Sequence, residues 1–192
     1  LIGGKVSIDG EVSSQFISSL LMIAPTFQKG LTLTIKGEIV SKPYIQMTLK
    51  LMSEYGIIYN WTGNIITISP QKYSPKKFNV ESDWSAAAFW FEIAALSNKC
   101  KIVLHGLHQD SLQGDSGVRN LFVDLGVTSS FQDSSLILKK KESTQNLYVV
   151  NLINTPDLYQ PLKCTLFALS KSIKFTGITT LKDKETNRVL AI

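Results

Sequence analysis

The amino-acid sequence predicts an α/β protein built from repeated β-α-β-α-β-β units. Its apolar residues alternate between a period of two, typical of strands, and a period of about 3.6, typical of helices. The same order of elements returns after about 70 residues, which indicates stacked supersecondary units. Helices and strands in this alternation are expected to pack as helices against sheets.

The first unit is predicted to occupy residues 1–76. Its four predicted strands lie at residues 6–8, 31–35, 57–60 and 65–68. Its two predicted helices lie at residues 13–23 and 43–55, and Pro25 ends the first of them. Residues 61–64 are expected to form the hairpin turn between the last two strands.

The same order of elements is predicted again in residues 77–192. The second copy has strands at residues 78–80, 101–105, 129–132 and 136–139, and helices at 84–96 and 116–125. A third copy has strands at 147–152 and 173–176, a helix at 158–170, and a helix at Lys184. A polar linker bordered by Pro70 and Pro75 places the domain boundary between residues 76 and 77.

The composition limits the classes of partner. Twenty basic and 15 acidic side chains give a formal net charge of +5, which favours anionic ligands in general. The densest run of lysines, at residues 139–141, has no interleaved aromatic residues, so we expect no nucleic-acid partner. No apolar run approaches the length of about 18 residues that spans a bilayer, so we expect a soluble, cytoplasmic protein without membrane contact.

Metal and redox chemistry have no signal in the sequence. Cys100 and Cys164 stand in apolar periodic segments without a C-x-x-C spacing, and we expect both to be buried free thiols. His105 and His108 lack a third ligand, so no metal site is predicted. The chain contains no P-loop, no G-x-G-x-x-G and no G-x-S-x-G, which removes the usual signals of nucleotide binding and serine hydrolysis.

Hydroxyl-bearing side chains stand at the start of both helices of the first unit. Ser13, Ser14 and Gln15 open the first helix, and Ser41 opens the second, with Tyr44 following. A helix amino terminus offers unpaired N–H groups and a positive dipole, so these hydroxyls could seat one phosphate. The alternative is that each serine only caps its helix.

Charged residues in the third copy form a second candidate site. Asp157 stands where a strand leads into a helix, a junction where α/β proteins keep many sites. Lys184 and Arg188 are four residues apart, which predicts one shared helical face with Glu185 beside them. Such a group can hold anions and move protons. The alternatives are a helix cap at Asp157 and a solvated surface at the two cations.

Together these segments resemble the EPSP synthases, the 3-phosphoshikimate 1-carboxyvinyltransferases. The family's phosphoshikimate signature is similar to Asp9-Gly10-Glu11-Val12-Ser13-Ser14-Gln15-Phe16, and its next substrate loop is similar to Ser41-Lys42-Pro43-Tyr44. Further segments follow in the family's order: Val80-Glu81-Ser82-Asp83, Gln113-Gly114-Asp115, Pro156-Asp157 and Lys184-Glu185-Thr186-Asn187-Arg188. The resemblance covers the whole sequence. It implies the two-lobed enolpyruvyl transferase fold, with residues 1–76 in the first lobe and residues 77–192 in the other.

The resemblance implies transfer of the enolpyruvyl group from phosphoenolpyruvate to the 5-hydroxyl of shikimate 3-phosphate in the shikimate pathway. It implies catalytic roles for Asp157 as proton acceptor, Glu185 as proton relay and Lys184 as a contact to phosphoshikimate. It implies that shikimate 3-phosphate is held by Ser13, Ser14, Gln15 and Ser41, with Tyr44 close by. Phosphoenolpyruvate would meet Gln15 and Arg188. A monomer without cofactor or metal is expected.

Two alternatives stay open beside this function. The sequence lacks the family's amino-terminal Lys-Ser and Arg pair, its Asn-Ala-Gly-Thr-type loop and its carboxy-terminal Arg and Lys. We therefore expect a central fragment, which alone could be a non-catalytic piece with weak phosphoshikimate binding. The UDP-N-acetylglucosamine enolpyruvyl transferases share the fold and reaction, but their pattern lacks the Ser-Ser-Gln segment.

Overall fold

The computed structural model describes residues 1–143, 149–184 and 186–192, apart from the side chain of Asp183. These residues form two compact units, Leu1–Asn79 and Val80–Ile192. The division falls three residues beyond the boundary expected from the linker. Phe78 accounts for the difference, because its ring lies 6.2 Å from the ring of Tyr55 and so belongs to the amino-terminal unit.

The amino-terminal unit is a four-stranded mixed sheet with two helices. Its strands are β1 (Gly4–Asp9), β2 (Leu31–Lys36), β3 (Tyr59–Thr62) and β4 (Ile65–Ile68), and its helices are α1 (Ser14–Ile23) and α2 (Lys42–Glu54). The strand order is β1-β2-β4-β3. β1 pairs with β2 in parallel, and the other two pairings are antiparallel. The parallel pair brings the carboxyl ends of β1 and β2 to one edge, where α1 and α2 follow.

One face of this sheet carries the core. In β2, Leu31, Leu33 and Ile35 are buried, while the residues between them point to the other face, as the period-two pattern predicts. The helices cover the buried face with residues three or four apart: Ile17 and Leu21 from α1, and Ile45, Leu49 and Met52 from α2. Each such side chain contributes about 1.5–3 kcal/mol when fully buried.

The hairpin turn is shorter than the sequence predicted. Trp61 and Thr62 belong to β3, opposite Ile66 and Ile65 of β4, so the turn contains two residues rather than four. Gly63 adopts a φ of 57°, which a two-residue hairpin with glycine in its first position requires. The predicted strand at 57–60 is therefore shifted by two residues.

The carboxy-terminal unit combines two small sheets with helices. Its strands are β5 (Lys101–His105), β6 (Val127–Gln132), β7 (Ser135–Lys140), β8 (Val149–Asn151) and β9 (Lys174–Thr176). Its α-helices are α3 (Trp84–Leu96), α4 (Val118–Leu121), α5 (Tyr159–Ala168) and α6 (Arg188–Ala191). β5, β7 and β6 form an antiparallel sheet in that order, and β8 pairs with β9 in parallel. Short 3₁₀ helices cover Gly114–Gly117, Pro156–Leu158 and Thr179–Asp183.

Two of the secondary-structure elements predicted beyond residue 76 are wrong. Residues 78–80 form no strand, because Phe78 and Val80 are both exposed and their spacing marks no buried face. The helix predicted at 116–125 is reduced to α4 and the 3₁₀ turn before it. Residues 122–126 form a turn rather than helix, and this turn ends at Gly126, whose φ of 81° suits glycine. The part of the predicted strand at 147–148 lies outside the described residues.

The core of the carboxy-terminal unit is built on α3. Asp83 caps this helix, since its carboxylate accepts the N–H of Ser85 at 2.8 Å. Trp84 and Phe91 are fully buried, and the Phe91 ring lies 5.6 Å from that of Phe122 in an edge-to-face arrangement. Across the described residues, no helix is long and apolar enough to cross a membrane.

The expectation of two buried thiols is wrong for Cys164. Cys100 is half-buried, but Cys164 lies on the exposed side of α5, opposite the buried residues Leu162 and Leu166. Partial desolvation and the negative charge of Glu92 both raise the pKa of the Cys164 thiol. Cys164 is therefore accessible, yet a smaller fraction of it is thiolate at a given pH than of an unperturbed cysteine.

We predict that alkylation of Cys164 has a pH midpoint above that of a free cysteine derivative in the same buffer, because the raised pKa leaves less thiolate at each pH. Iodoacetamide labelling of a Cys100→Ala protein followed by mass spectrometry measures this midpoint. Glu92→Gln should lower it, and Glu38→Gln, an exposed acid elsewhere, should not change it. A midpoint at or below that of the free thiol would contradict the prediction.

Candidate functional site

Two strand-to-helix junctions lie side by side in the amino-terminal unit. The N–H of Gly10, after β1, donates to the carbonyl of Lys36 at 2.7 Å, and the N–H of Val40 donates to the carbonyl of Gly10 at 3.2 Å. A Cβ at position 10 would stand 2.3 Å from the carbonyl oxygen of Glu38, so only glycine allows the two loops to approach this closely. The sequence segments 9–15 and 41–44 are thus anchored on neighbouring strands.

The first junction is a turn held by its own side chains. Asp9 accepts the N–H of Glu11 at 3.0 Å, and the Ser13 hydroxyl accepts the N–H of Gln15 at 3.4 Å. Ser13 is therefore the N-cap of α1, as the alternative interpretation held, although this bond is long. Ser14 is the first helical residue and half-buried, and Gln15 is exposed.

The second junction is strained at Ser41. This residue has φ 54° and ψ 34°, the left-handed conformation that costs a non-glycine residue about 1–2 kcal/mol. It is only 5% exposed, and its hydroxyl makes no capping bond to α2. Ser41 therefore occupies the N-cap position of α2, as the alternative interpretation held, but its side chain does not make the capping bond. Strain of this kind persists where the surrounding structure imposes it, often at functional sites.

Tyr44 lies in the first turn of α2, three residues after this strained residue. Its N–H donates to the carbonyl of Ser41 at 3.0 Å, and its side chain is half-buried. α1 and α2 are joined one turn further on by the hydroxyls of Ser18 and Thr48, 2.9 Å apart. The two helix starts are therefore fixed by contacts on both sides. That Ser13, Ser14 and Ser41 surround one phosphate stays a prediction.

Asp157 organises a charged cluster in the carboxy-terminal unit. It lies in the 3₁₀ helix Pro156–Leu158, between β8 and α5, and the N-cap of α5 is Leu158, so Asp157 is not a cap. Arg188 donates to its Oδ1 at 2.7 Å, and the ammonium of Lys184 lies 3.6 Å from the same oxygen. Between 13% and 27% of each of these side chains is exposed.

Lys184 and Arg188 do not share a helical face, contrary to the prediction. Lys184 follows the 3₁₀ helix Thr179–Asp183 with an extended backbone, and Arg188 is the first residue of α6. Asn187 separates them because its side chain caps α6, accepting the N–H of Leu190 at 3.3 Å. The two cations meet through Asp157 rather than through helix spacing. Glu185, the predicted proton relay, lies outside the described residues.

The cluster has the chemistry of an anion and proton-transfer site. Two cations and one carboxylate leave a local excess of positive charge, and partial burial strengthens their interactions relative to those in water. A bound anion would compete with Asp157 for Arg188 and Lys184, which would leave the carboxylate able to accept a proton. Within the described ranges, no three His, Cys, Asp or Glu side chains are grouped as metal ligands.

Sequence reasoning did not anticipate the role of Glu81. One carboxylate oxygen accepts the N–H of His108 at 2.9 Å and the indole N–H of Trp84 at 2.7 Å. The other accepts the hydroxyl of Ser111 at 2.8 Å and the amide of Gln113 at 3.2 Å. Glu81 therefore ties the loop after β5 to the start of α3. In the sequence, Glu81 stands out only as part of the segment 80–83 that resembles the family, two residues before the cap Asp83.

The sequence matches the family described as EPSP synthase (3-phosphoshikimate 1-carboxyvinyltransferase) over residues 1–192. The 3-phosphoshikimate 1-carboxyvinyltransferase of Bacteroides fragilis strain YCH46 is 43% identical over 193 residues, covering 100% of this chain and 47% of the relative. That of Methanosphaera stadtmanae is 36% identical over 195 residues, covering 97% and 45%. The chain spans about half the length of the curated relatives it matches.

A solved structure gives the same picture of the fold. The structure of EPSP synthase from Acinetobacter baumannii is similar with a TM-score of 0.66 at 18% sequence identity. The match covers 99% of this chain and 44% of that chain. At this identity the likeness concerns the fold alone, and it confirms the predicted α/β class.

We predict that Ser41→Gly raises the free energy of unfolding by about 1 kcal/mol, because glycine adopts the left-handed conformation without strain. Ser41→Ala should give no such gain, since alanine keeps the strain. Urea denaturation of the 192-residue protein followed by circular dichroism measures both. Ser69→Gly, at an exposed serine after β4, is the control. It measures how far glycine alone lowers stability by making the unfolded chain more flexible. If Ser41→Gly lowers stability as much as this control, Ser41 is not strained.

Proposed function

We propose, because the chain belongs to the EPSP synthase family, that it carries part of a site for enolpyruvyl transfer to shikimate 3-phosphate. In this reaction the 5-hydroxyl of shikimate 3-phosphate attacks C2 of phosphoenolpyruvate, and phosphate leaves. The longer protein would thus be a transferase of the shikimate pathway, which supplies aromatic amino acids. A cytoplasmic location and a monomeric state belong to the same proposal.

One observation carries the proposal: Ser41 is strained and makes no capping bond, and its loop touches the loop that opens α1. A hydroxyl held in this way is preorganised to donate to an anion. Ser13, Ser14 and Gln15 would add hydroxyl and amide donors from the neighbouring junction, and the first N–H groups of α1 would add positive potential. We assign the 3-phosphate of shikimate 3-phosphate to the binding site formed by these residues, which we call the seat. Tyr44 would pack near the shikimate ring.

The proton transfers are assigned to the carboxy-terminal unit. The attacking 5-hydroxyl must lose a proton, C3 of the enol must gain one, and C3 must lose one again when phosphate leaves. We assign the acceptor role to Asp157, because its carboxylate is held in place by Arg188 and Lys184. Arg188 would pair with phosphoenolpyruvate, Lys184 would contact phosphoshikimate, and Glu185 would relay a proton.

We assign different roles to the two compact units. The amino-terminal unit would belong to the first lobe of the two-lobed fold and would hold the phosphorylated sugar acid. The carboxy-terminal unit would belong to the other lobe and would supply the charged cluster. Each unit has its own core, so each can present its residues from a rigid support.

We predict that the 192-residue protein binds shikimate 3-phosphate weakly but releases no phosphate from a mixture with phosphoenolpyruvate. Binding needs the hydroxyl seat, whereas turnover needs the family's further basic residues, and losing one charge-stabilising contact typically costs about 100-fold or more in rate. Calorimetric titration and a phosphate-release assay measure the two properties. Ser41→Ala should weaken binding about tenfold or more, because a hydrogen bond to a charged group is lost.

Ser69→Ala is the matched control, since it removes an exposed hydroxyl of the same unit away from both junctions. Equal weakening by the two substitutions would show that the seat does not involve Ser41. Phosphate release at the rate of a full-length relative would refute the inactive-chain prediction. If the unmodified protein does not bind shikimate 3-phosphate at all, the assignment of the 3-phosphate to these residues is wrong.

A further inference from the structure

Helices α1 and α2 contact each other through faces that carry hydroxyl groups. The two helices pack together in the amino-terminal unit. On α1, Ser14 and Ser18 are four residues apart and share one face. On α2, Tyr44 and Thr48 are also four residues apart and share one face. Because the hydroxyl oxygens of Ser18 and Thr48 are 2.9 Å apart, these two faces are the ones that meet.

The contact between Ser18 and Thr48 has a direction. The hydroxyl oxygen of Thr48 also lies 3.0 Å from the carbonyl oxygen of Tyr44, which can only accept a hydrogen bond. A hydroxyl carries one proton, so both bonds form together when Ser18 donates to Thr48 and Thr48 donates to Tyr44. We call Ser18 and Thr48 the hydroxyl bridge. It ends on the backbone of Tyr44, in the first turn of α2.

The hydroxyl bridge lies next to the seat on both helices. One helical turn before the bridge stand Ser14 of the seat on α1 and Tyr44 on α2. At the junctions themselves, the N–H of Val40 donates to the carbonyl of Gly10 at 3.2 Å. One backbone contact and one side-chain contact therefore hold the two helix starts at a fixed spacing.

The hydroxyl bridge stands beside the apolar core of the unit and is half-buried. The core takes other residues from the two helices: Ile17, Leu21, Ile45, Leu49 and Met52. Apolar contacts are non-directional, whereas a hydrogen bond needs a narrow range of distance and angle. The bridge therefore fixes one helix start relative to the other more closely than core packing alone.

We propose that Ser18 and Thr48 are positioning residues of the seat. This inference rests on the proposed function, because it requires that the loops before α1 and α2 hold one phosphate. A site whose two halves already stand at the right spacing loses less conformational freedom on binding. Without the bridge, shikimate 3-phosphate would have to hold the two helix starts together itself, and it would bind more weakly.

Substitutions at three positions of the 192-residue protein test the proposal. Thr48→Val keeps the branched shape of the side chain and removes its hydroxyl, whereas Thr48→Ser keeps the hydroxyl. Ser18→Ala removes the other hydroxyl. Ser19→Ala is the matched control, because the hydroxyl of Ser19 donates to the carbonyl of Gln15 within α1 at 2.8 Å. Calorimetric titration with shikimate 3-phosphate measures binding at a temperature at which circular dichroism shows every variant to be folded.

We expect Ser18→Ala and Thr48→Val each to weaken binding about fivefold, the typical effect of one hydrogen bond. The double variant should bind no more weakly than either, because both substitutions remove the same contact. Thr48→Ser and Ser19→Ala should bind like the unmodified protein. A role in stability alone would leave the dissociation constants of these folded variants unchanged. If Thr48→Val does not fold, Ser18→Ala and Thr48→Ser still give the comparison.

The failure of this inference differs from the failure of the proposed function. If Ser41→Ala weakens binding but the two bridge variants bind like Ser19→Ala, the bridge does not position the seat. If the unmodified protein does not bind shikimate 3-phosphate, or if Ser41→Ala binds as tightly as Ser69→Ala, the seat itself is wrongly assigned. In that case the positioning role is wrong as well.

Discussion

The parallel pairing of β1 with β2 is the interaction on which the proposed substrate seat depends. Six consecutive residue pairs fix the register, from Gly4 with Leu31 to Asp9 with Lys36. Because the strands run in the same direction, α1 and α2 begin at the same edge of the sheet. A slip by one residue would turn the buried face of β2 outward, so the core and the seat are specified by the same contacts.

The charged cluster depends on a different kind of constraint. Asp157 and Arg188 are 31 residues apart in sequence, and they meet because β8 and β9 pair and direct the following segments to the same region. Removing one partner of a partly buried ion pair leaves a charge without compensation, which is more costly than the loss of a surface pair. The cluster is therefore a stabilising contact as well as the proposed site of proton transfer.

Local sequence signals were sufficient to predict the bounds of several helices and strands. The bounds of α3 agree with the prediction because Asp83 is a strong cap, and β2 agrees because its alternation matches one buried face. The conformation of Ser41 was not predictable, since serine favours helix caps and no local sequence pattern indicates its left-handed backbone. The four-residue spacing of Lys184 and Arg188 wrongly predicted that they share one helical face. Asn187 lies between them and caps a new helix that begins at Arg188.

We propose that the two junction loops together bind one phosphate group. Amide chemical shifts of the isotope-labelled 192-residue protein, recorded during titration with shikimate 3-phosphate, test it most directly. We predict the largest shifts at residues 13–15 and 41–44 together, with one common dissociation constant. Shifts at only one of the two loops, or different dissociation constants for the two, would contradict a single seat.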